Sequence, residues 1–247
     1  MASPWIEGKV TELKAWGGNL YSLFVSADIT PFEAGQFIKI GLLINGETVG
    51  RAYSLVNAPD EKPLEFYFIK VDDGPLTPKL IELKPGDSIR VAPRPSGFLV
   101  LSEVPQAKIL WLIATGTGIG PFLSILKTTT PWLRFEKVIL VQAVRTLTEL
   151  TYQEAIQRLL SEHSTQLTYI PFMSREKTSF AMEGRVTNAL ADGRLEEKAN
   201  IKIDADSQIM LCGNPDMVRD TIEILSTRGL KKHRRRDPGN ITVEAYW

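Results

Sequence analysis

The sequence predicts two domains: an antiparallel β-barrel over residues 1–102, then an α/β domain on a parallel sheet over residues 103–247. Three observations carry that reading. Up to about residue 102, short runs of alternating apolar and polar residues are separated by Gly and Pro, with one short helical segment among them. From Ala107, near-continuous apolar runs alternate with helical segments, the pattern of strands covered on both faces. The stretch "LSEVPQA" marks the boundary.

In the first domain the predicted strands are "EGKVTELKAW", "LYSLFVS", "GQFIKIGLL", "TVGRAYSLV", "LEFYFIKV" and "DSIRVAP". The helical segment is "LTPKLIEL", after Gly74, with Thr77 as N-cap and Pro78 at the first helical position. In the second domain the strands are "KILWLIA", "KVILVQAV", "QLTYIPF" and "SQIMLCG", and helices fall on "PFLSILK" and near "TYQEAIQRLL" and "RVTNALAD". A long helix follows. Asn214 is its natural N-cap, Pro215 fits the first position, Val218, Ile222 and Leu225 form an apolar stripe, and Gly229 can end it. Cys212 and Gly213 are thereby left at the C-terminal end of a strand, where open α/β sheets bind ligands. The strand-like "ITVEAYW" closes the chain.

Bulk composition excludes several classes. With 247 residues, 43% hydrophobic and 23% charged, the chain can bury a proper core. A formal net charge of zero gives no global attraction to nucleic acid or anionic membrane. The single cysteine, Cys212, excludes an intrachain disulfide framework and a four-cysteine iron–sulfur site, and points to a reducing compartment. The N-terminus has no apolar signal core, and "ILWLIA" falls far short of the ~20 residues that span a bilayer. A soluble, cytoplasmic protein is expected. His163 and His233 are isolated and assemble no metal or triad site, and Trp16, Trp111 and Trp132 read as packing residues.

The chemistry begins at "RAYS", Arg51 to Ser54. Strand alternation points Arg51 and Tyr53 the same way, about 6.5–7 Å apart. An aromatic face, a cation and a hydroxyl are the parts a flavin site asks for; an ordinary edge strand has the same composition. "TGTGIGP", Thr115 to Pro121, follows a strand and opens a helix, so glycine backbone N–H groups can approach phosphate. Pro121 after the last Gly excludes an NTPase loop, and GxGxG spacing departs from the dinucleotide fingerprint, so a tight structural turn is the alternative.

Where an NAD site carries an acidic residue for the ribose, "LVQAVR" supplies Gln142 and Arg145. Arg175 in "MSRE" and Arg185 in "EGRV" add two guanidinium groups near successive strand or helix ends. Singly each is a surface arginine; jointly they suit a 2′-phosphate and point to NADP. The helix start at Thr77 can take a pyrophosphate near Arg51, or simply cap the helix. Tyr246 and Trp247 either cover something flat or anchor the tail.

With "RAYS", "GPLT", "GTGIGP", "CGNPDM" and the terminal "VEAYW" in that order, the chain resembles the ferredoxin/flavodoxin–NADP reductases of the compact bacterial kind, over its whole length. The resemblance implies an FAD-binding barrel, a Rossmann-like NADP domain, and a monomeric enzyme that exchanges hydride with NADP(H) and single electrons with ferredoxin or flavodoxin. It implies that Arg51 holds the FAD pyrophosphate, Tyr53 stacks on the isoalloxazine and Ser54 bonds near N5, with Ala52 and Tyr67 on adjoining flavin strands. Pro75, Leu76 and Thr77 form the pyrophosphate turn. Thr117 approaches both cofactors, and Val144, Arg145, Ser174, Arg175, Arg185 and Asp216 meet the NADP nucleotide. Cys212 and Glu244, with Ser54, surround the reacting carbon and nitrogen. Tyr246 covers the other flavin face and gates the nicotinamide. Trp247, absent from plant-type members, contacts the adenine of a folded-back FAD.

In "RGLKKHRRRDPG", Lys231, Lys232, Arg234, Arg235 and Arg236 form a candidate dock for the acidic carriers the resemblance implies, or a solvated run. Two rivals stay open: a reductase of the same superfamily with another acceptor, and a non-catalytic regulator that senses redox state through a bound nucleotide.

Overall fold

A computed structural model describes residues 5–245. The chain divides into two compact units, one running to Val100 and including Gly120–Lys127, the other comprising Leu101–Ile119 and the chain from Thr128 onward.

The first unit is built from β1 (Ile6–Gly17), β2 (Leu20–Ser26), β3 (Phe37–Ile44), β4 (Glu47–Ser54), β5 (Leu64–Ile69) and β6 (Ser88–Val91), with a single helical turn, α1 (Thr77–Leu80). The sheet runs β4-β3-β6-β1-β2-β5, every pairing antiparallel. Its two edges meet where Leu55 bridges Phe66 and the Val56 N–H donates to the Glu65 carbonyl at 3.0 Å, which closes the barrel as the alternation predicts. Inward-facing Leu23, Ile38, Ile40, Phe66 and Val91 fill it. The predicted helix "LTPKLIEL" is shorter than expected, and Thr77 does not cap it. Its hydroxyl accepts the Val71 N–H at 2.9 Å, and Leu76, buried to 1%, stands at the cap position without a side-chain cap bond. A hydroxyl that pins the preceding turn is lost to the helix end.

The second unit carries β7 (Ile109–Thr115), β8 (Lys137–Val144), β9 (Leu167–Met173), β10 (Met182–Glu183), β11 (Ser207–Gly213) and β12 (Ile241–Ala245). These are parallel, in the order β10-β9-β8-β7-β11-β12. Its helices are α3 (Thr130–Arg134), α4 (Gln153–Glu162), α5 (Val186–Ala191), α6 (Arg194–Ala199) and α7 (Pro215–Thr227), while α2 (Ile119–Leu126) begins there and groups from Gly120 with the barrel unit. Within that unit the Ser124 hydroxyl donates to the Asn57 carbonyl at 2.7 Å, and Lys127 pairs with Glu61 at 3.0 Å. From β7 the chain builds outward through β8, β9 and β10, then returns to β11 on the other side of β7. The strand order therefore reverses between β7 and β11, and the C-terminal ends of these two strands form the crevice in which such sheets take ligands.

The long helix α7 follows the sequence reading: the Asn214 side chain accepts the Asp216 N–H at 2.8 Å and the Met217 N–H at 3.2 Å, with Pro215 at the first position. The short helices α3 and α6 and the two-residue β10 were not predicted. Each is too brief for periodicity to register. Of the three tryptophans, only Trp111 is wholly buried; Trp16 donates to the Ser22 hydroxyl at 2.9 Å, and Trp132 stacks on His163 with centroids 3.6 Å apart.

Candidate functional site

The barrel's candidate residues lie on β4 and β5 and at α1. Strand alternation leaves Arg51 exposed and Tyr53 half-buried, while Ser54 at the strand end is buried. The Arg51 guanidinium donates to the Gly50 carbonyl at 2.9 Å, which directs the side chain along the strand edge. Tyr53 meets Phe68 edge-to-face, with centroids 5.9 Å apart, so its ring is braced against the core. Burial pushes the Tyr53 phenol up to about 12 against the opposing charge of Arg51, and the ring stays neutral at physiological pH. Ala52 is exposed between them. Tyr67 is buried and meets Trp16 edge-to-face at 6.4 Å; Leu76 is buried under the turn that exposes Pro75. An exposed guanidinium beside a braced, neutral aromatic ring suits a flat ring joined to phosphate.

In the second unit the crevice is built from backbone register. Cys212 pairs with Ala114 of β7 on one side and with Glu244 of β12 on the other. Cys212 is wholly buried and Glu244 half-buried. The loop after β7 turns through Gly116, at φ +54°, and presses Gly118 so closely on β11 that a Cβ there would lie 2.4 Å from the Cys212 carbonyl oxygen. The Thr115 hydroxyl accepts the Asn214 N–H at 2.8 Å, which ties the ends of β7 and β11 together. Thr117 sits half-buried in this loop. Asp216 is exposed in the first turn of α7, where its carboxylate pairs with Arg219 at 2.7 Å and its own N–H is taken by Asn214.

The predicted phosphate residues gather at the ends of β8 and β9. The Arg175 N–H donates to the Arg145 carbonyl at 2.9 Å and the Ser174 N–H to the Val144 carbonyl at 3.1 Å, so the two loops run side by side. Arg145, Ser174 and Arg175 are exposed, and Arg185 is exposed where α5 begins. Three exposed guanidinium groups and a hydroxyl are an anion-binding donor set. Val144 is buried with Leu150 and Met173 in a small apolar cluster, which anchors the strand end from which Arg145 departs. Gln142 stands where an NAD site would carry its acidic residue. It is wholly buried, accepts the Tyr169 hydroxyl at 2.8 Å and donates to the Thr151 carbonyl at 3.4 Å.

Two acidic residues that the sequence reading missed complete this corner. Glu149 takes the Arg145 N–H at 2.9 Å with Oε2 and the Arg145 Nε–H at 2.7 Å with Oε1, and pairs with Nη2 as well. Glu176 accepts the Leu147 N–H at 2.7 Å. The Arg-x-x-x-Glu spacing is the signal in the sequence.

The basic run is ordered. Arg234 bridges Asp237 across a tight turn, and Lys232 bridges Ile241 in parallel. Lys231 pairs with Asp237, and Arg235 forks onto Glu103, its Nε 2.9 and 3.0 Å from the two carboxylate oxygens. That contact holds the Glu103 carboxyl below its ordinary range. Lys232, Arg234 and Arg236 are exposed. Tyr246 and Trp247 lie outside the described residues.

A closed antiparallel barrel with an aromatic and a guanidinium on one edge strand, joined to a parallel sheet with arginines at its strand ends, defines a two-domain FAD- and nicotinamide-nucleotide-binding oxidoreductase. The family model for the oxidoreductase FAD-binding domain matches residues 20–98, and that for the oxidoreductase NAD-binding domain residues 112–223. The chain is 46% identical to the flavodoxin/ferredoxin–NADP reductase of Escherichia coli K12 over 98% of its length and 99% of that protein. It is 37% identical to the ferredoxin–NADP reductase of Pseudomonas aeruginosa over 96% and 95%. It superposes with a TM-score of 0.92 and 31% identity, over all of both chains, on a ferredoxin NADP+ reductase from Neisseria gonorrhoeae crystallised with FAD and NADP. The chain belongs to the flavodoxin/ferredoxin–NADP reductase family.

Proposed function

We propose that the first unit holds FAD through Arg51, Ala52, Tyr53, Ser54, Tyr67 and the Pro75–Leu76–Thr77 turn, and that the second holds NADP through Thr117, Val144, Arg145, Ser174, Arg175, Arg185 and Asp216. As a member of its family, the chain is an FAD-dependent oxidoreductase that exchanges hydride with NADP(H) and electrons with ferredoxin or flavodoxin. The boundary between cofactor domains falls near residue 102, in keeping with the two family matches. The observation that carries the NADP assignment is the backbone pairing of Arg175 with Arg145, which brings two exposed arginines to one sheet corner.

Bound FAD supplies a ring that takes two electrons as hydride and passes them on singly. The protein's share is positioning and charge. Arg51 counters the pyrophosphate, and Tyr53, braced by Phe68, offers a flat neutral face. Ser54 supplies a hydroxyl at the strand end. Cys212 and Glu244, fixed by register, would lie against a bound nicotinamide, where the Glu244 carboxylate would favour positive charge on the ring.

The exposed cations at Lys231, Lys232, Arg234, Arg235 and Arg236 dock an acidic carrier, and the chain works as a cytoplasmic monomer. No helix among the described residues is long and apolar enough to cross a membrane. The test is direct. Purified protein loaded with FAD should be bleached by NADPH far faster than by NADH and recolour on adding ferredoxin or flavodoxin; equal bleaching by both nucleotides overturns the arginine assignment.

A further inference from the structure

We infer that Glu149 is a positioning residue that sets the preference for NADP over NAD by fixing the guanidinium of Arg145. The inference rests on the reading of Arg145 as a ligand of the 2′-phosphate.

The geometry is a chelate. One carboxylate holds both the main chain and the side chain of the same arginine: Oε2 takes the Arg145 backbone N–H at 2.9 Å and Oε1 takes Nε–H at 2.7 Å, with Nη2 on the same oxygen. With both ends of the side chain tied to one group, its rotation is restricted. Glu149 is itself well held, its side chain 17% exposed against 50% for Arg145. The chain between them turns through one 3-10 turn, Leu147–Glu149, and the Leu147 N–H is clamped by Glu176 from the neighbouring loop. Two carboxylates thus fix the backbone from which Arg145 projects.

The choice of guanidinium edge matters. Glu149 occupies Nε and Nη2, whereas no contact of Nη1 is made among the described residues. A guanidinium presents five N–H groups, so a carboxylate on the Nε edge leaves Nη1 and a second Nη2 hydrogen as a fork for an anion. An arginine loses much of its rotamer freedom when it grips a phosphate, and here that loss is already incurred on folding. The opposing effect is repulsion between the Glu149 carboxylate and a phosphate. At a half-exposed side chain that repulsion is screened by solvent and salt, while the fixed direction of the donors is not. Positioning therefore outweighs repulsion.

The consequence is confined to nucleotides that carry the 2′-phosphate. The test is calorimetric titration of NADP+ and NAD+ into FAD-loaded wild type, Glu149→Ala, Arg145→Ala and the double variant. Glu149→Ala should weaken NADP+ binding roughly tenfold, the size of one lost charge-assisted contact, and leave NAD+ affinity unchanged. In the Arg145→Ala background the same change should have no further effect. A loss shared by both nucleotides, or one that persists without Arg145, assigns Glu149 to loop folding and overturns the inference. Tighter NADP+ binding by Glu149→Ala overturns it too, since repulsion would then dominate. If Arg145→Ala alone loses NADP+ affinity while Glu149→Ala does not, only this inference falls. If Arg145→Ala keeps full NADP+ affinity, the phosphate reading of Arg145 falls with it.

Discussion

Cys212 and Glu244 are register partners on the parallel strands β11 and β12, with Ala114 of β7 opposite Cys212 on its other side. A thiol and a carboxylate 32 residues apart in sequence are thereby held at one level of the sheet, at the crevice where strand order reverses. The alignment predicts a split in kinetics. Glu244→Gln keeps shape and hydrogen bonding but removes the charge that, on the proposed role, would favour a cationic nicotinamide ring, so the bleaching rate at saturating NADPH should fall by about a hundredfold. The concentration for half-saturation should stay within about twofold, because the phosphate grip is untouched. Stopped-flow absorbance of the flavin measures both. A raised half-saturation with an unchanged rate would make Glu244 a binding residue.

The glycine loop after β7 gives a second prediction. A methyl group on Gly118 would lie 2.4 Å from the Cys212 carbonyl oxygen, whereas one on Gly116 meets nothing within 4 Å. Gly118→Ala must push the loop off β11 and should cost roughly 1–3 kcal/mol, as overpacking does. Gly116→Ala bears only the strain of its positive φ, about 1 kcal/mol. Urea denaturation should rank the two in that order; the reverse ranking would mean the loop does not rest on Cys212.

Two half-buried phenols set a pH dependence. Burial pushes Tyr53 and Tyr169 each up to about 12, above the ordinary value near 10. Between these values the unfolded chain has released both protons and the native chain keeps them, so the unfolded state binds fewer protons and stability falls as pH rises. The contribution is complete below about pH 10 and lost through pH 12. Unfolding midpoints of wild type should drop across that window. In a Tyr53→Phe/Tyr169→Phe variant the drop should be shallower; an equal slope would mean these phenols titrate normally.

Much of this was legible in the sequence. Strand alternation in "GQFIKIGLL" and the apolar run of "KILWLIA" fixed the two kinds of sheet, because a one-residue period slip would have turned Ile38 and Ile40 outward. Asn214–Pro215 marked the start of α7 by local chemistry alone. What stayed hidden was set by long-range contact. Thr77 has the right identity for a cap, yet its hydroxyl serves Val71, and nothing in the sequence shows that Tyr169 and Gln153 draw Gln142 into a buried polar group. Glu149 and Glu176 gain meaning only from the backbone N–H groups they meet.

The ordered basic run yields the last prediction. Glu103 holds Arg235 and Asp237 holds Lys231, which leaves Lys232, Arg234 and Arg236 as exposed cations without an ion pair among the described residues. If these steer an acidic carrier, Arg234→Glu/Arg236→Glu should slow electron delivery to flavodoxin about tenfold at low ionic strength. The difference should shrink towards nothing near 0.5 M salt, where the screening length is only about 4 Å, and NADPH bleaching should be unaffected throughout. Glu103→Gln has the opposite sign. It removes the negative charge that pairs with Arg235 while leaving every cation of the run in place, so delivery at low salt should quicken and its salt dependence steepen. Stopped-flow reduction of flavodoxin over a salt series measures all three proteins, and a common slope would show that encounter does not use this surface.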